Sequence, residues 1–378
     1  MKFVSVIIPC RNEAAFIGPC LDSILDSDYP AGRMEVIVAD GMSTDGTRAL
    51  VERYAARDTR VRLIDNAERI TPAGLNRAIE AARGDVIARV DAHARLAADY
   101  LSRCIFYLDT TGADNAGGAM RTVAQADGPF AAAIVAALTH PFGVGNSHFR
   151  TGSARVRWVD TVFGGCWRRE VFERVGMFNE QLERSQDMEF SLRLKAAGGR
   201  TLLAPDVRSE YFARSDWQSF WRHNFLNGEW AVLPFLYSDV IPVRARHLIP
   251  LLFVLGLMMG AIGLLWTPWV LAMIAIPYAA VNLAASVHAA FSKTSGRSRR
   301  VSLMVKMPLV FASLHVAYGA GSLSGLAKLA ARWAGMHDRR RPAESASNRD
   351  RRADESPRRR TLRGSDASAG GGYGQGSH

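Results

Sequence analysis

Three short clusters of chemically capable residues occur early in this chain, each directly after an apolar run. Residues 9–13 read PCRNE and include Arg11 and Glu13; residues 40–46 read DGMSTDG and begin with Asp40; residues 91–93 read DAH and pair Asp91 with His93. Two later stretches add FGGCW, with Gly164 and Gly165, and SQDMEF, with Asp187 and Glu189. A carboxylate accepts hydrogen bonds, ligates a hard cation or takes a proton from a hydroxyl, and an imidazole adds a nitrogen ligand. Each cluster also has a plainer use. Glu13 suits a helix N-terminus, Asp40-Gly41 is ordinary turn chemistry, Asp187 suits a helix cap, and paired glycines make a bulge or tight bend.

The surrounding sequence predicts the elements that position these clusters. FVSVIIPC, MEVIVAD, VRLID and DVIARVDAH read as strands. AAFIGPCLDSIL, TDGTRALVERYAARD and PAGLNRAIEAAR read as helices between and after them, the last with proline near its start. Alternating strands and helices give an α/β domain with a mainly parallel sheet, and in such sheets ligands sit at the carboxyl ends of the strands. Pro9–Glu13, Asp40 with its loop, and Asp91–His93 all fall at those ends. The N-terminal MKFVSVIIPC reads as the first strand and not as a signal peptide, because its apolar run is short and ends in charge. Cys10, Cys20, Cys104 and Cys166 have neither metal-ligand nor CxxC spacing, so they read as reduced, small apolar residues.

From about residue 247 the composition changes. HLIPLLFVLGLMMGAIGLLW and WVLAMIAIPYAAVNLAASVHAAF are uncharged and each about the 20 residues that cross a bilayer core. They predict a helical hairpin with Trp266 and Trp269 in the interface. A third apolar stretch, residues 301–331, contains Lys306, Pro308 and His315, and its spanning is left open. The net charge of +11 is concentrated at 244–246, 293–300 and 332–363, beside or after the apolar segments. That is membrane-flank chemistry, and the positive-inside rule places residues 293–300 in the cytoplasm. No basic stripe with stacking aromatics is visible, which excludes nucleic acid as a partner. The organisation expected is a catalytic domain over 1–235, a membrane region over 236–335 and a disordered basic tail over 336–378.

Taken in order, SVIIPCRNEAAFIGPCLDSIL, EVIVADGMSTDGT, ARGDVIARVDAHA and FGGCWRREVFERVGMFNE followed by SQDMEFSLRLKAAG cover most of residues 3–230. They resemble family 2 glycosyltransferases of the GT-A fold. HPFGVGNSHFR, RVDAHA, SQDMEF and HVAYGAGSLSG most resemble the succinoglycan-type exopolysaccharide enzymes, which carry C-terminal membrane segments. The resemblance implies a nucleotide-binding turn at Pro9, Arg11 and Glu13, with Glu13 on a ribose hydroxyl. It implies that Asp40 accepts the uracil N3–H, that Asp91 and His93 ligate a divalent cation, Mn2+ or Mg2+, and that Asp187 is the general base. Gly164 and Gly165 would let backbone approach the sugar, and Trp167 and Arg168 would meet the acceptor or the diphosphate.

The sequence departs from the family pattern at Ala39, His93 and Gln186, where the usual residues are acidic. Imidazole at position 93 leans towards Mn2+. A neutral neighbour at position 186 favours ionisation of Asp187, with Glu189 the alternative base. One base suffices, because a phosphate leaves without general-acid help. WQSFWRHNFLNGEW, with Arg214, Arg222 and His223 about it, lacks the QxxRW order of processive synthases and reads as an amphipathic interfacial helix that guides a lipid-linked acceptor, or simply as an aromatic anchor at the membrane surface. The expected reaction is inverting transfer from a UDP-sugar to a polyprenyl-diphosphate-linked saccharide at the bacterial cell membrane, with the catalytic domain cytoplasmic. Transfer onto polyprenyl phosphate and a non-catalytic nucleotide-sugar-binding scaffold are the alternatives.

Overall fold

The computed structural model describes residues 1–238, 240, 245–293 and 296–339. Expectations for the basic cluster at 244–246, for part of the loop at 293–300 and for the tail beyond 339 lie outside the described residues. Met1–Leu329 form one compact unit; residues from Ala330 form a second.

The first half of the chain alternates as its periodicity predicts: β1 (Val4–Cys10), α1 (Ile17–Leu25), β2 (Met34–Asp40), α2 (Thr47–Arg57), β3 (Val61–Asp65), α3 (Thr71–Ala81), β4 (Val86–Arg89) and β5 (Ala94–Leu96). Next come α4 (Tyr100–Thr111), β6 (Asn115–Ala124), α5 (Ala131–Leu138), α6 (Pro141–Val144), α7 (His148–Thr151), β7 (Arg157–Val159) and β8 (Cys166–Arg168). α8 (Glu170–Val175), α9 (Gln186–Ala196), β9 (Thr201–Ala213) and α10 (Trp217–Val232) complete the mixed domain, and α11 (Ala245–Gly263), α12 (Trp269–Lys293) and α13 (Arg297–Arg339) follow.

The nine strands form one sheet in the order β3-β2-β1-β4-β8-β6-β9-β5, with β7 also paired to β9. β3, β2, β1 and β4 are mutually parallel, as are β6 and β9, and these pairs hold most of the paired residues. β8 runs antiparallel to β4 and β6, and β5 and β7 run antiparallel to β9. The parallel strands are buried on both faces, which is why β2 reads as a continuous apolar run. One face packs Val6, Ile8, Val36 and Val38 against α1, α2 and α4; the other packs Ile7, Ile37 and Ile87 against α3, Trp167 and Phe190. Parallel β1, β2 and β4 all end at one edge, so the loops after them meet there. All four cysteines are free and buried, as their spacing predicts.

Of the apolar helices, α12 over Trp269–Ser292 and α13 over Arg297–Ala334 are long and apolar enough to cross a membrane, and His247–Gly263 is a shorter apolar helix. The hairpin turn exposes Trp266 at 78% and Trp269 at 72%. Leu252, Met259, Met273 and Ile276 are also exposed on α11 and α12, so both helices present apolar side chains outward. This pattern supports membrane association. The third apolar stretch is part of continuous α13. It buries Met307, Val310, Phe311 and Ala317, with Phe311 in a cluster that includes Phe220 of α10.

The helix predicted over residues 217–230 forms, and one of its faces packs on α13. A Cβ on Gly228 of α10 would run into the Tyr318 backbone, and one on Gly321 would run into the Phe225 carbonyl. The two helices therefore cross at backbone contact, which only glycine allows. α10 is fixed within the unit, and its buried face includes Phe220, Asn224 and Gly228.

Candidate active site

Two loops build one end of the site. After β1, Asn12 takes a left-handed conformation with φ 55° and Met42 does the same after β2 with φ 58°. Side chains of one loop satisfy backbone donors of the other. Asn12 N donates to Ser43 Oγ at 2.9 Å, Glu13 N to Thr47 Oγ1 at 2.8 Å and Ala14 N to Asp45 Oδ2 at 3.1 Å. Thr44 N donates back to Asn12 Oδ1 at 2.9 Å. Both turns are therefore held before any ligand arrives.

The loops and the β4–β5 turn open on a cleft of about 730 Å³. Its wall includes Pro9, Arg11, Glu13, Asp91, His93, Gly164 and Asp187, so most of the sequence-predicted site residues share one space. Asp40 and Gly165 lie behind the wall. The Asp40 carboxylate is fully buried at the end of β2, accepting from Ser43 N at 3.1 Å and Ser43 Oγ at 2.5 Å, with Arg48 3.6 Å away. It organises the loop after β2. Gly164 (φ 62°) and Gly165 (φ 110°) make a left-handed bend. A Cβ on Gly164 would lie 2.6 Å from the Arg89 carbonyl and one on Gly165 2.6 Å from Asn115 Oδ1. Gly164 fronts the cleft; the Gly165 carbonyl accepts the Arg89 N–H at 2.9 Å and so ties the bend to β4.

Arg89, Asp91 and His93 form a charged line at the end of β4. Arg89 Nη2 donates to Asp91 Oδ1 at 3.0 Å and Arg89 Nε to the same oxygen at 3.2 Å. His93 Nδ1 lies 3.1 Å from Glu13 Oε1. Burial alone would raise the Asp91 pKa, but the charges of Arg89 and His93 hold it below the ordinary carboxylate value. Burial would lower that of His93, and the Glu13 hydrogen bond with the Asp91 charge raises it instead. Arg89, despite burial, keeps its proton more firmly than usual because Asp91 and Asp187 both face it.

Among the described residues no group of three or more His, Cys, Asp or Glu side chains converges on one point. The turn offers a divalent cation a pair of donors, the Asp91 carboxylate away from Arg89 and His93 Nε2. A pair fits a hard cation whose remaining ligands come from water and from a bound anion in the cleft.

The N-terminus of α9 also lines the cleft, and Ser185 caps the helix in a left-handed conformation with φ 63°. Ser185, and not Asp187, is therefore the cap. Asp187 is exposed in the first turn, its Oδ1 accepting only from the Met188 N–H at 2.9 Å. Glu189 is disposed differently. It is buried, and Arg193 grips both its oxygens at 2.6 and 2.9 Å, so the alternative base is locked in an ion pair away from the cleft. Trp167 and Arg168 also fail to reach the cleft. Trp167 is buried in an aromatic cluster with Phe172, Phe178 and Phe190, and Arg168 is held by the carbonyls of Ala113 and Leu108.

The cleft wall also includes Arg150, Arg184 and Tyr211, to which the sequence assigns no role, and Arg214 and His223, which it places at the membrane interface. Arg184, three residues before Asp187, and Arg150, at the end of HPFGVGNSHFR, are the locatable signals. The others come from β9, the residue after it and α10, whose meeting depends on the chain's long-range path.

Comparison with known proteins agrees with this geometry. The Glycosyl transferase family 2 model matches residues 5–176. The chain is 34% identical over 249 residues to the succinoglycan biosynthesis protein ExoA of Rhizobium meliloti (strain 1021), covering 65% of this chain and 74% of that protein. It is 30% identical over 208 residues to glycosyltransferase AglE of Haloferax volcanii, covering 55% of this chain and 66% of that one. Among solved structures, the mannosyltransferase PcManGT from Pyrobaculum calidifontis, in complex with GDP-Man and Mn2+, is similar in fold, with a TM-score of 0.55 at 22% identity over 86% of this chain and 87% of that one.

Proposed function

Because this chain belongs to glycosyltransferase family 2, we propose that it transfers a sugar from a UDP-sugar to a hydroxyl of a polyprenyl-diphosphate-linked saccharide, inverting the anomeric carbon, in exopolysaccharide assembly. The observation that carries the reading is the disposition of the acidic groups. Asp187 is exposed and lines the same cleft as Asp91 and His93, while the other candidate base is locked by Arg193. The likeness to the succinoglycan biosynthesis protein supports the exopolysaccharide setting.

In this reading Pro9, Arg11 and Glu13 hold the nucleotide, and Glu13 also steadies His93 through the 3.1 Å contact. Asp40 fixes the loop after β2; its carboxylate has acceptor sites left, but it is fully buried, so its expected contact with uracil requires that loop to open. Asp91 and His93 would hold a divalent cation, which when bound supplies charge neutralisation to the departing diphosphate. Asp187 takes the acceptor hydroxyl proton as the acceptor oxygen bonds to the anomeric carbon and the bond from that carbon to the UDP oxygen breaks. A single displacement of this kind inverts the configuration. Gly164 gives the sugar close access to backbone.

In this reading the chain sits in the bacterial cell membrane through its apolar helices, with the catalytic domain cytoplasmic, and the length and composition of α12 and α13 support it. Since the four native cysteines are buried, Ser298→Cys supplies a single reporter between α12 and the apolar part of α13. It should resist an impermeant maleimide in intact cells and react after permeabilisation; ready labelling from outside would overturn this topology. The reaction itself is tested with full-length protein, a panel of UDP-sugars and a polyprenyl-diphosphate-linked saccharide. UDP release that depends on both substrates is expected. UDP binding without release under every combination would reduce the protein to a scaffold.

A further inference from the structure

Next to the nucleotide cleft lies a second cavity of about 620 Å³, and the two share Arg150, Arg184, Asp187, Tyr211, Arg214 and His223. Its character changes along its length. The shared end is cationic. The far end is walled by Phe142 and Val144 of α6, Ile249 and Phe253 of α11, Tyr278 of α12 and Leu314 of α13. A passage therefore leads from the general base, past three guanidinium groups, to apolar side chains contributed by the helices with membrane-type composition.

Among the described residues Asp187 is the one carboxylate that lines both cavities, and it forms no ion pair with these arginines. None of Arg150, Arg184 and Arg214 makes an ion pair among the described residues; Arg184 Nη1 donates to the neutral Asn227 Oδ1 at 3.1 Å, and the Arg150 guanidinium lies over the Tyr211 ring at 5.6 Å. Arg150 Nη1 and His223 Nδ1 are buried without a hydrogen-bond partner. Buried polar groups are otherwise satisfied almost everywhere in proteins, and unpaired buried charge is strongly disfavoured. The site also bears the electrostatic mark of packed cations. Burial, then Arg184, Arg214 and Arg150, pushes His223 down to about 3, so its imidazole stays neutral and one ring N–H remains available as a donor. Burial likewise makes Arg150 and Arg184 easier to deprotonate than usual, Arg184 also through Arg214. A bound anion would relieve all four groups.

We infer that Arg150, Arg184 and Arg214, with His223, hold the diphosphate of the lipid-linked acceptor, and that the apolar passage between α6 and helices α11–α13 takes the first isoprene units of its tail. The inference rests on the proposed function for the identity of the acceptor. The nucleotide's diphosphate is assigned to the Asp91–His93 side, so each anion has its own cationic partner. With the acceptor's diphosphate fixed at the arginines, its saccharide lies beside Asp187, the only catalytic group common to both cavities. This makes the cluster a positioning device that selects a diphosphate on an apolar tail over a free sugar.

The test uses the full chain in detergent and farnesyl diphosphate as a short probe, followed by titration calorimetry. Farnesyl diphosphate should bind, farnesol should bind much more weakly, and saturating UDP with Mg2+ should leave the farnesyl diphosphate affinity unchanged. The double variant Arg184→Gln/Arg214→Gln should weaken the probe by about ten-fold or more, as expected for loss of charge-assisted hydrogen bonds. Val144→Trp, which narrows the apolar end without touching the arginines, should weaken farnesyl diphosphate and spare inorganic pyrophosphate. Displacement of the probe by UDP would assign the arginines to the donor and overturn the inference. So would parent-like affinity in both variants, or equal binding of farnesol. A chain that binds the probe as described and yet transfers no sugar would refute the proposed function and leave this site standing.

Discussion

Asp187→Asn is expected to slow sugar transfer by roughly 10²–10⁴-fold, the usual contribution of a positioned general base. UDP affinity should change little, because the lost proton acceptor acts only as the acceptor oxygen attacks, and an interaction made only then lowers kcat without altering nucleotide binding. Asparagine keeps the shape and can still accept from the Met188 N–H, as the carboxylate does at 2.9 Å, so the α9 N-terminus should stay in place. The matching variant Glu189→Gln separates chemistry from architecture. Its carboxylate is buried in the ion pair with Arg193, so its loss should destabilise the α8–α9 region without selectively removing turnover. Initial rates with UDP binding measured in parallel decide the matter. Near-normal turnover in Asp187→Asn would remove the residue from the mechanism.

His93 should set the metal preference. Manganese accepts imidazole readily, whereas magnesium favours oxygen ligands and dehydrates reluctantly. The parent is therefore expected to work better with Mn2+ than with Mg2+. His93→Asp restores an all-oxygen pair and should raise the Mg2+ rate relative to the Mn2+ rate even if both fall. His93→Ala should weaken dependence on either metal, and it also releases Glu13 from its contact with the ring. Rates against metal concentration, with Mn2+ binding followed by paramagnetic resonance, give two independent readouts. Identical metal profiles in all three proteins would mean that His93 is not a ligand.

The parts of this site legible in the sequence are those set by local pattern. Strand runs ending in polar residues located Glu13, Asp91 and His93, because a parallel strand places its next residue at the ligand edge whatever the rest of the chain does. β2 ends at Asp40 as its periodicity predicts. What was not legible depends on long-range packing. Trp167 and Arg168 follow a glycine bend and look available, yet antiparallel β8 sits between β4 and β6 and turns both side chains away from the cleft. Arg150 ends the stretch HPFGVGNSHFR, but the stretch alone does not bring it to the cleft, because it sits on a four-residue helix that reaches Tyr211 of the distant β9. The aromatic stretch at 217–230 carries the composition of an interfacial helix. Only the glycine contacts between α10 and α13 reveal that it is clamped inside the unit, with His223 on the cleft wall.

Isolation of the lipid-linked product tests the central claim most directly. Full-length protein, a UDP-α-sugar and a polyprenyl-diphosphate-linked saccharide are incubated, and the product's mass and anomeric configuration are determined by mass spectrometry and proton NMR. The account predicts an acceptor heavier by one sugar residue, joined through a β linkage, with one UDP released per sugar transferred. An α linkage would contradict the single displacement driven by Asp187, and nucleotide binding with no extended lipid product would contradict the transferase itself.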